Sequence, residues 1–350
     1  MVNCPLCIIS YTYNHGSYIK DTMEGFCIQH TEFPFAAIIV DDASTDNTSE
    51  VIKSYLNQNF LMTDSERWET EDANFVVAQH RENQNCFFCV VFLKYNFYQF
   101  SKSKLPLMAD FMTEAKYIAF CEGDDYWIAP NKLYRQVEYM ERNQEYGLAY
   151  TDVKGYRQSN SEFFSMNLQG KSGYIYKDLV SDKINIWTLT VLIRRDLYST
   201  RPQIDSNYYF CGDLLLFLHY TSKTKVYFLP EITAVYRILL ESASHSQSKR
   251  TKSIFKAKVC RTRLYYIENG PLLEKSLRRV LVKKYMIGQL PYCFYYYDWD
   301  SFKKCKILFT PFFIPHKTGK YFFIYVLYRF CQIKPFFYLV CTITNKWGYK

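Results

Sequence analysis

The sequence predicts an α/β domain on a mostly parallel central sheet flanked by helices, followed by a helical, basic and aromatic C-terminal extension. Three observations carry that prediction. Short, unbroken apolar runs recur through the first 152 residues, at 6–11, 35–40 and 117–121 among others, as expected of strands buried on both faces. Segments with helical spacing separate these runs, and that alternation implies parallel strands joined by crossover helices. Two of the runs stop abruptly in acids, at Asp41-Asp42 and at Glu122-Gly123-Asp124-Asp125. Carboxylates just past the carboxyl ends of such strands stand where open α/β sheets bind ligands.

Taken in order, residues 6–11 read as the first strand and Thr12-Tyr13-Asn14-His15-Gly16 as a turn. Ser17 is a candidate cap for a helix reaching about Gln29. The second strand, 35–40, runs into Asp41-Asp42-Ala43-Ser44-Thr45-Asp46-Asn47-Thr48. A helix follows, with Val51, Ile52, Tyr55 and Leu56 at helical spacing. Residues 75–78 are a third strand, and 81–108 are aromatic and irregular, with no element assigned. The strand ending at Glu122 is the fourth. Past Pro130, Leu133, Val137 and Met140 mark an amphipathic helix, and 147–152 is a fifth strand. Residues 153–183 read as a loop-rich excursion and 186–193 as a further strand. A helix opens at Cys211-Gly212-Asp213, and short strands are expected at 226–229 and 233–237.

At 350 residues, 49% hydrophobic and 19% aromatic, the chain has ample material for a core and is not a disordered protein. Its net charge of +9 hides an asymmetry. From Lys249 onward there are 21 Lys and Arg against 4 Asp and Glu, a net of +17, while the preceding residues carry 22 basic and 30 acidic side chains, a net of −8. Neither a secretory signal nor a membrane-spanning run of about 20 apolar residues is expected. The 12 cysteines read as reduced residues. Cys4-x-x-Cys7 and Cys86-x-x-Cys89 lie too far apart for a zinc ribbon, whose pairs stand about 15–20 residues apart. GxGxxG, Walker A and GxSxG patterns are absent.

Three acids within four residues at 122–125 repel one another unless a cation sits among them. Oxygen ligands of this type suit Mg2+ or Mn2+, which commonly bridge to substrate phosphates. The ordinary alternative for one such cluster is a solvated turn or a helix cap; two on one sheet edge favour a cation and phosphate site.

The segments Ile8-Ile9-Ser10-Tyr11-Thr12-Tyr13-Asn14, Asp41-Asp42-Ala43-Ser44-Thr45-Asp46 and Glu122-Gly123-Asp124-Asp125-Tyr126-Trp127 together resemble inverting glycosyltransferases of family 2, with the GT-A nucleotide-sugar-binding fold, of the bacterial surface-polysaccharide type. The resemblance is strong over about 4–152, looser over 185–246, and absent from the last hundred residues. It implies a glycosyltransferase domain over 1–248, with a nucleotide-sugar half to about 152 and an acceptor half over 153–248, before the extension at 249–350. Ser10, Tyr11, Thr12, Tyr13, Asn14, Asp42 and Ser44 would then contact the nucleotide sugar, together with Glu122, Asp124 and Arg237. Glu122 stands where the family usually has the first Asp of Asp-x-Asp, and this puts its role in doubt. Asp124, helped by Asp125 and His245, would bind a divalent metal, Mn2+ or Mg2+. Tyr126 and Trp127 would stack on sugar or acceptor, or pack the site wall. Asp213 would be the base that deprotonates the acceptor hydroxyl; its other reading is a helix cap.

The resemblance thus implies transfer from a nucleoside-diphosphate sugar to a saccharide or lipid-linked saccharide acceptor in polysaccharide biosynthesis. Competing readings are an inactive nucleotide-sugar or glycan-binding protein and a sugar nucleotidyltransferase. The latter normally needs a basic, glycine-rich phosphate loop, and residues 6–16 hold no Lys or Arg and one Gly. The basic, aromatic tail suits an anionic membrane surface, so the expected location is cytoplasmic and peripheral on the inner face of the membrane. No nucleic-acid motif accompanies it, and no nucleic-acid partner is expected.

Overall fold

The computed structural model describes residues 4–62, 67–166, 169–202, 211–239, 248–304 and 334–347. The chain divides into two units, Met1–Arg201 with Lys223–Ile238, and Pro202–Ser222 with Leu239–Lys350.

The first unit is a mixed α/β layer structure. Its strands are β1 (Leu6–Thr12), β2 (Phe35–Asp41), β3 (Phe60–Leu61), β4 (Arg67–Glu69), β5 (Ala73–His80), β6 (Cys86–Leu93), β7 (Tyr117–Phe120), β8 (Tyr126–Trp127), β9 (Tyr146–Arg157), β10 (Glu162–Ser165), β11 (Leu192–Arg194) and β12 (Lys225–Ile238). They form one sheet in the order β3-β5-β6-β2-β1-β7-β11-β9-β12-β8, with β4 on β5 and β10 on β9. The four central strands β6, β2, β1 and β7 are parallel, as is the β9–β12 pair; β5 and β11 run antiparallel to their neighbours.

One lateral row explains how this sheet packs. Registered partners run Ala78, Phe88, Ala37, Ile8, Ala119, Leu192 and Ala149 across seven strands. Small and large side chains alternate along the row, and all seven belong to one buried cluster. The gaps over the alanines admit large side chains from the layer above, including Ile19, Met23 and Phe26 of helix α1 (Ile19–Cys27) and Ile52 and Leu56 of helix α2 (Thr48–Asn59).

Four sequence expectations are corrected here. Residues 86–93, left unassigned, form β6, an inner strand that is almost wholly buried. Residues 186–193 are not one strand but a 3-10 turn, Thr188–Thr190, followed by the short β11. The two short strands expected at 226–237 are one long strand, β12, with register shifts around Leu229 and Ile232. Trp127, expected on the acceptor side, is a core residue. Its ring is 1% exposed, packs edge-on to Phe26 at 5.1 Å and donates Nε1–H to the Leu189 carbonyl at 2.8 Å. An indole enclosed on all sides has no face left for a sugar.

Beneath that ring lies Lys132, fully buried at the start of the helix Lys132–Arg142. Its Nζ stands 4.2 Å from the Trp127 ring centre and donates to Gln136 Oε1 at 2.9 Å. Burial pushes its pKa down to about 7.

The second unit is helical among the described residues. Helices Lys249–Asn269 and Lys275–Tyr295 pack along buried Cys260, Leu264, Leu281 and Leu290. A Cβ at Gly288 would fall 2.3 Å from Cys260 Sγ, so glycine permits their close approach. The helix Gly212–Thr221 joins them through Cys211 N–H on Thr262 Oγ1 at 2.9 Å. No helix among the described residues is long and apolar enough to cross a membrane.

Two measurements check these packing arguments. Ala119→Leu places three extra carbons in the closed row and should destabilise the fold by about 1–3 kcal/mol in denaturant unfolding; an unchanged midpoint would show that the row has slack. Lys132→Met tests the buried ammonium. Between pH 7 and the unfolded lysine value near 10.4 the unfolded chain holds the extra proton, so wild-type stability rises with pH across that window. The variant should gain roughly 1–3 kcal/mol at pH 7 and little at pH 10, with the difference shrinking steadily between.

Candidate active site

The carboxyl ends of β1, β2 and β7 lie side by side, so the loops that follow them share one edge. Asn14 stitches two of these loops together. It takes a left-handed backbone, φ 57°. Its Oδ1 accepts from Thr45 N at 2.8 Å, and its own N–H donates to Ser44 Oγ at 2.9 Å. Ser44 in turn donates to Asp41 Oδ1 at 2.5 Å. Ala43 also sits at φ 57°, which costs a residue with a Cβ about 1–2 kcal/mol. Strain of this kind gathers at ligand-binding loops.

Asp42 is buried, and protein donors already surround it. Its carboxylate accepts from Phe97 N at 2.7 Å and Tyr98 N at 3.3 Å, and pairs with Lys104 Nζ at 2.8 Å. A carboxylate has about four acceptor positions, so one remains for a nucleotide. Lys104, which sequence reasoning missed, also stands 5.3 Å from the Tyr11 ring centre. Tyr13, two residues after Tyr11, is exposed.

The turn 122–125 is held from several sides. Thr22 of α1 donates to the Asp125 carbonyl at 2.6 Å and also reaches the Gly123 carbonyl at 3.1 Å. Arg237 donates its backbone N–H to Asp125 Oδ1 at 2.7 Å, Nη1–H to the Asp124 carbonyl at 2.6 Å and Nη2–H to Asp21 Oδ2 at 2.5 Å. Its guanidinium lies 4.9 Å from the ring centres of both Tyr18 and Tyr126.

These contacts bear on two further expectations. Arg237, expected on phosphate, spends one N–H of each Nη on fastening the turn and α1, while its buried Nε–H has no partner. Asp125, expected on the metal, is 5% exposed and turned inward; burial and its acidic neighbours Asp124 and Glu122 push its carboxyl well above the usual range. Tyr126 is half-buried against Arg237. Glu122 is exposed at the rim.

Of eight described side-chain atoms that are buried without a hydrogen-bond partner, five belong to this edge: Ser10 Oγ, Thr12 Oγ1, His15 Nδ1, Asp124 Oδ1 and Arg237 Nε. An unsatisfied buried polar group costs about 1–3 kcal/mol, so their concentration here marks a cradle shaped for a polar ligand. Gly123 keeps it open, because a Cβ there would fall 2.6 Å from Thr12 Oγ1 and 3.0 Å from His15 Nδ1. Burial, with Arg237, lowers the His15 pKa against the opposing carboxylates of Asp124 and Asp46. His15 was not singled out from sequence; its place in Asn14-His15-Gly16 was the available signal.

An acceptor-only oxygen with no donor in reach, beside uncharged oxygen and nitrogen ligands, fits a divalent cation. Among the described residues no three His, Cys, Asp or Glu side chains converge as a ready cage. His245 lies outside the described residues. Asp213 belongs to the second unit, exposed in the first turn of its helix, whose cap position is Cys211.

The family model for Glycosyl transferase family 2 matches residues 7–69. An uncharacterized protein of Mycobacterium tuberculosis H37Rv is 29% identical over 246 residues, covering 68% of this chain and 60% of that protein. The chain therefore spans about three fifths of that relative's length. A putative teichuronic acid biosynthesis glycosyltransferase of Bacillus subtilis is 25% identical over 248 residues, 70% of this chain and 83% of that protein. In fold, the chain is similar to S. aureus TarS 1-349 in complex with UDP-GlcNAc, at TM-score 0.52 and 15% identity, over 98% of this chain and 92% of that one. It is also similar to a mannosyltransferase of Pyrobaculum calidifontis in complex with GDP-Man and Mn2+, at TM-score 0.51 and 10% identity, over 100% and 89%. The sheet and its flanking helices are of the GT-A type.

Proposed function

We propose that the chain is a glycosyltransferase of family 2 that transfers a sugar, with inversion, from a nucleoside-diphosphate sugar to a saccharide or lipid-linked saccharide acceptor. The observation that carries the reading is the cradle of unpartnered polar atoms at the ends of β1 and β7. Ser10 and Thr12 hydroxyls can donate to a diphosphate, and Asp42, with Lys104 and Tyr11 beside it, offers one open acceptor for the nucleoside. Asp124 would hold a divalent cation, which acts as a Lewis acid for the departing nucleoside diphosphate when bound. Asp213 takes the proton from the attacking acceptor hydroxyl. A role in polysaccharide assembly is supported by the name of the B. subtilis relative, and nucleoside-diphosphate sugars are bound in the two structures of like fold.

The second unit supports a peripheral site on the inner face of the membrane. Arg278 and Arg279 are exposed beside Leu272 and Val280, which are 100% and 62% exposed. Basic side chains interleaved with bare apolar ones suit an anionic lipid surface.

Nucleoside-diphosphate release from a panel of UDP-, GDP- and dTDP-sugars with Mn2+, with donor affinity measured alongside, tests the transferase reading. One donor should be turned over, and Asp124→Asn should abolish release. Asp213→Asn should lower transfer by about 10²–10⁴-fold while donor affinity stays put. A donor bound but never turned over, with every acceptor tried, would move the reading to a binding protein. Flotation of the full chain tests the membrane contact. It should rise with anionic but not zwitterionic vesicles, and Arg278→Glu with Arg279→Glu should lose it; equal recovery with both lipids would sink the idea.

A further inference from the structure

We propose that His15 is a second protein ligand, beside Asp124, for the cation at the donor diphosphate, and that its imidazole makes the site prefer Mn2+ to Mg2+. The inference rests on the donor-site reading above.

The His15 ring is held ready before any ligand arrives. Asn14 reverses the chain at φ 57°. The His15 N–H then donates to Thr48 Oγ1 at 2.9 Å, and its carbonyl accepts from Tyr18 N at 2.8 Å and Ile19 N at 2.9 Å. The side chain stands against the Gly123 backbone, immediately before Asp124 in sequence. A Cβ at Gly123 would fall 3.0 Å from its Nδ1.

His80 shows how a structural histidine behaves in the same chain: its Nδ1 accepts from Asn83 N at 2.9 Å and Glu82 N at 3.3 Å. His15 Nδ1 has no such partner, although it is buried, and neither has Asp124 Oδ1. A carboxylate oxygen and an imidazole nitrogen, each buried and unpartnered around one glycine, are both satisfied by a cation between them. Thr12 Oγ1, also unpartnered and 2.6 Å from the same Cβ position, is left to donate to a phosphate oxygen.

Two protein ligands leave the remaining positions to diphosphate oxygens and water, the usual arrangement for cations bound with nucleotides. Because no third acid, histidine or cysteine converges among the described residues, cation and nucleotide should bind together more tightly than either alone. Mg2+ is best served by oxygen ligands, whereas a nitrogen ligand raises affinity along the transition-metal series. The nitrogen of His15 should therefore tilt the site toward Mn2+.

The test is calorimetric titration of the full chain with Mn2+ or Mg2+, each alone and with saturating UDP, GDP or dTDP. Wild type, His15→Ala, His15→Gln and Asp124→Asn are compared, with melting temperatures recorded. In the presence of the nucleotide that binds, His15→Ala should lose about 10-fold or more in Mn2+ affinity and less in Mg2+ affinity. Affinity for nucleotide without metal should not change. His15→Gln keeps the volume and a hydrogen-bonding group; it should melt like wild type yet show the same loss of Mn2+ preference. If Asp124→Asn loses cation binding while both His15 variants keep wild-type affinity and preference, His15 only packs against Gly123 and the proposal falls alone. If wild type binds none of the three nucleotides with either cation, the donor-site reading falls and takes this inference with it.

Discussion

Arg237 is fastened to the acidic turn through its backbone N–H and one Nη group and to α1 through the other, and the site depends on that clamp. Its backbone N–H holds the Asp125 carboxylate, one Nη–H holds the Asp124 carbonyl, and the other holds Asp21 on α1. The turn would otherwise carry three acids at close quarters, and the buried Asp125 would have no donor at all. A buried charge is tolerated only when paired and hydrogen-bonded. Here one guanidinium offsets the acid cluster and ties a helix to it. The rings of Tyr18 and Tyr126, each 4.9 Å from the guanidinium, add cation–π attraction to the contact.

The clamp depends on topology far from the turn. Arg237 is 112 residues from Asp125 and reaches it because β12 pairs antiparallel with β8, Ala234 opposite Trp127 and Val235 opposite Tyr126. The burial of Trp127 fixes β8, and α1 presses on it so closely that a Cβ at Gly25 would fall 2.8 Å from Trp127 N. The alternating row across the sheet sets the depth at which α1 can lie. Packing of the core thus decides where the Asp124 carboxylate stands.

Residues whose signal is local were legible in the sequence. β1, β2 and β7 are continuous apolar runs with sharp ends, and the acids that stop β2 and β7 announce the site edge. The amphipathic spacing of Ile52, Tyr55 and Leu56 gave the second helix. β6 was missed because Cys86–Leu93 is apolar without alternation and lies in an aromatic stretch; its partners β2 and β5, paired along its length, make it a strand. The run 186–193 has the composition of a strand, yet only Leu192–Arg194 finds neighbours, β7 and β9, to pair with. The inward turn of Asp125 and the burial of Trp127 are set by β12, which no local pattern could connect to residue 125.

The same distinction separates support from ligand contact among the polar residues at this edge. Motif membership cannot make it, because Asp41, Asp42, Asp124, Asp125 and Arg237 all look alike as site residues in sequence. Hydrogen-bond accounting can. Asp41 accepts from Ser44 N, Ser44 Oγ and Ser49 Oγ, Asp125 accepts from the Arg237 backbone N–H, and Arg237 spends one N–H of each Nη on Asp124 and Asp21. These groups hold loops in place. Ser10, Thr12, His15 and Asp124 keep buried atoms with nothing to bond, at a cost the fold has no structural reason to bear. A ligand that brings phosphate oxygens and a cation would satisfy the hydroxyls, the carboxylate and the imidazole together. The cost of leaving them bare in the free protein is then returned on binding.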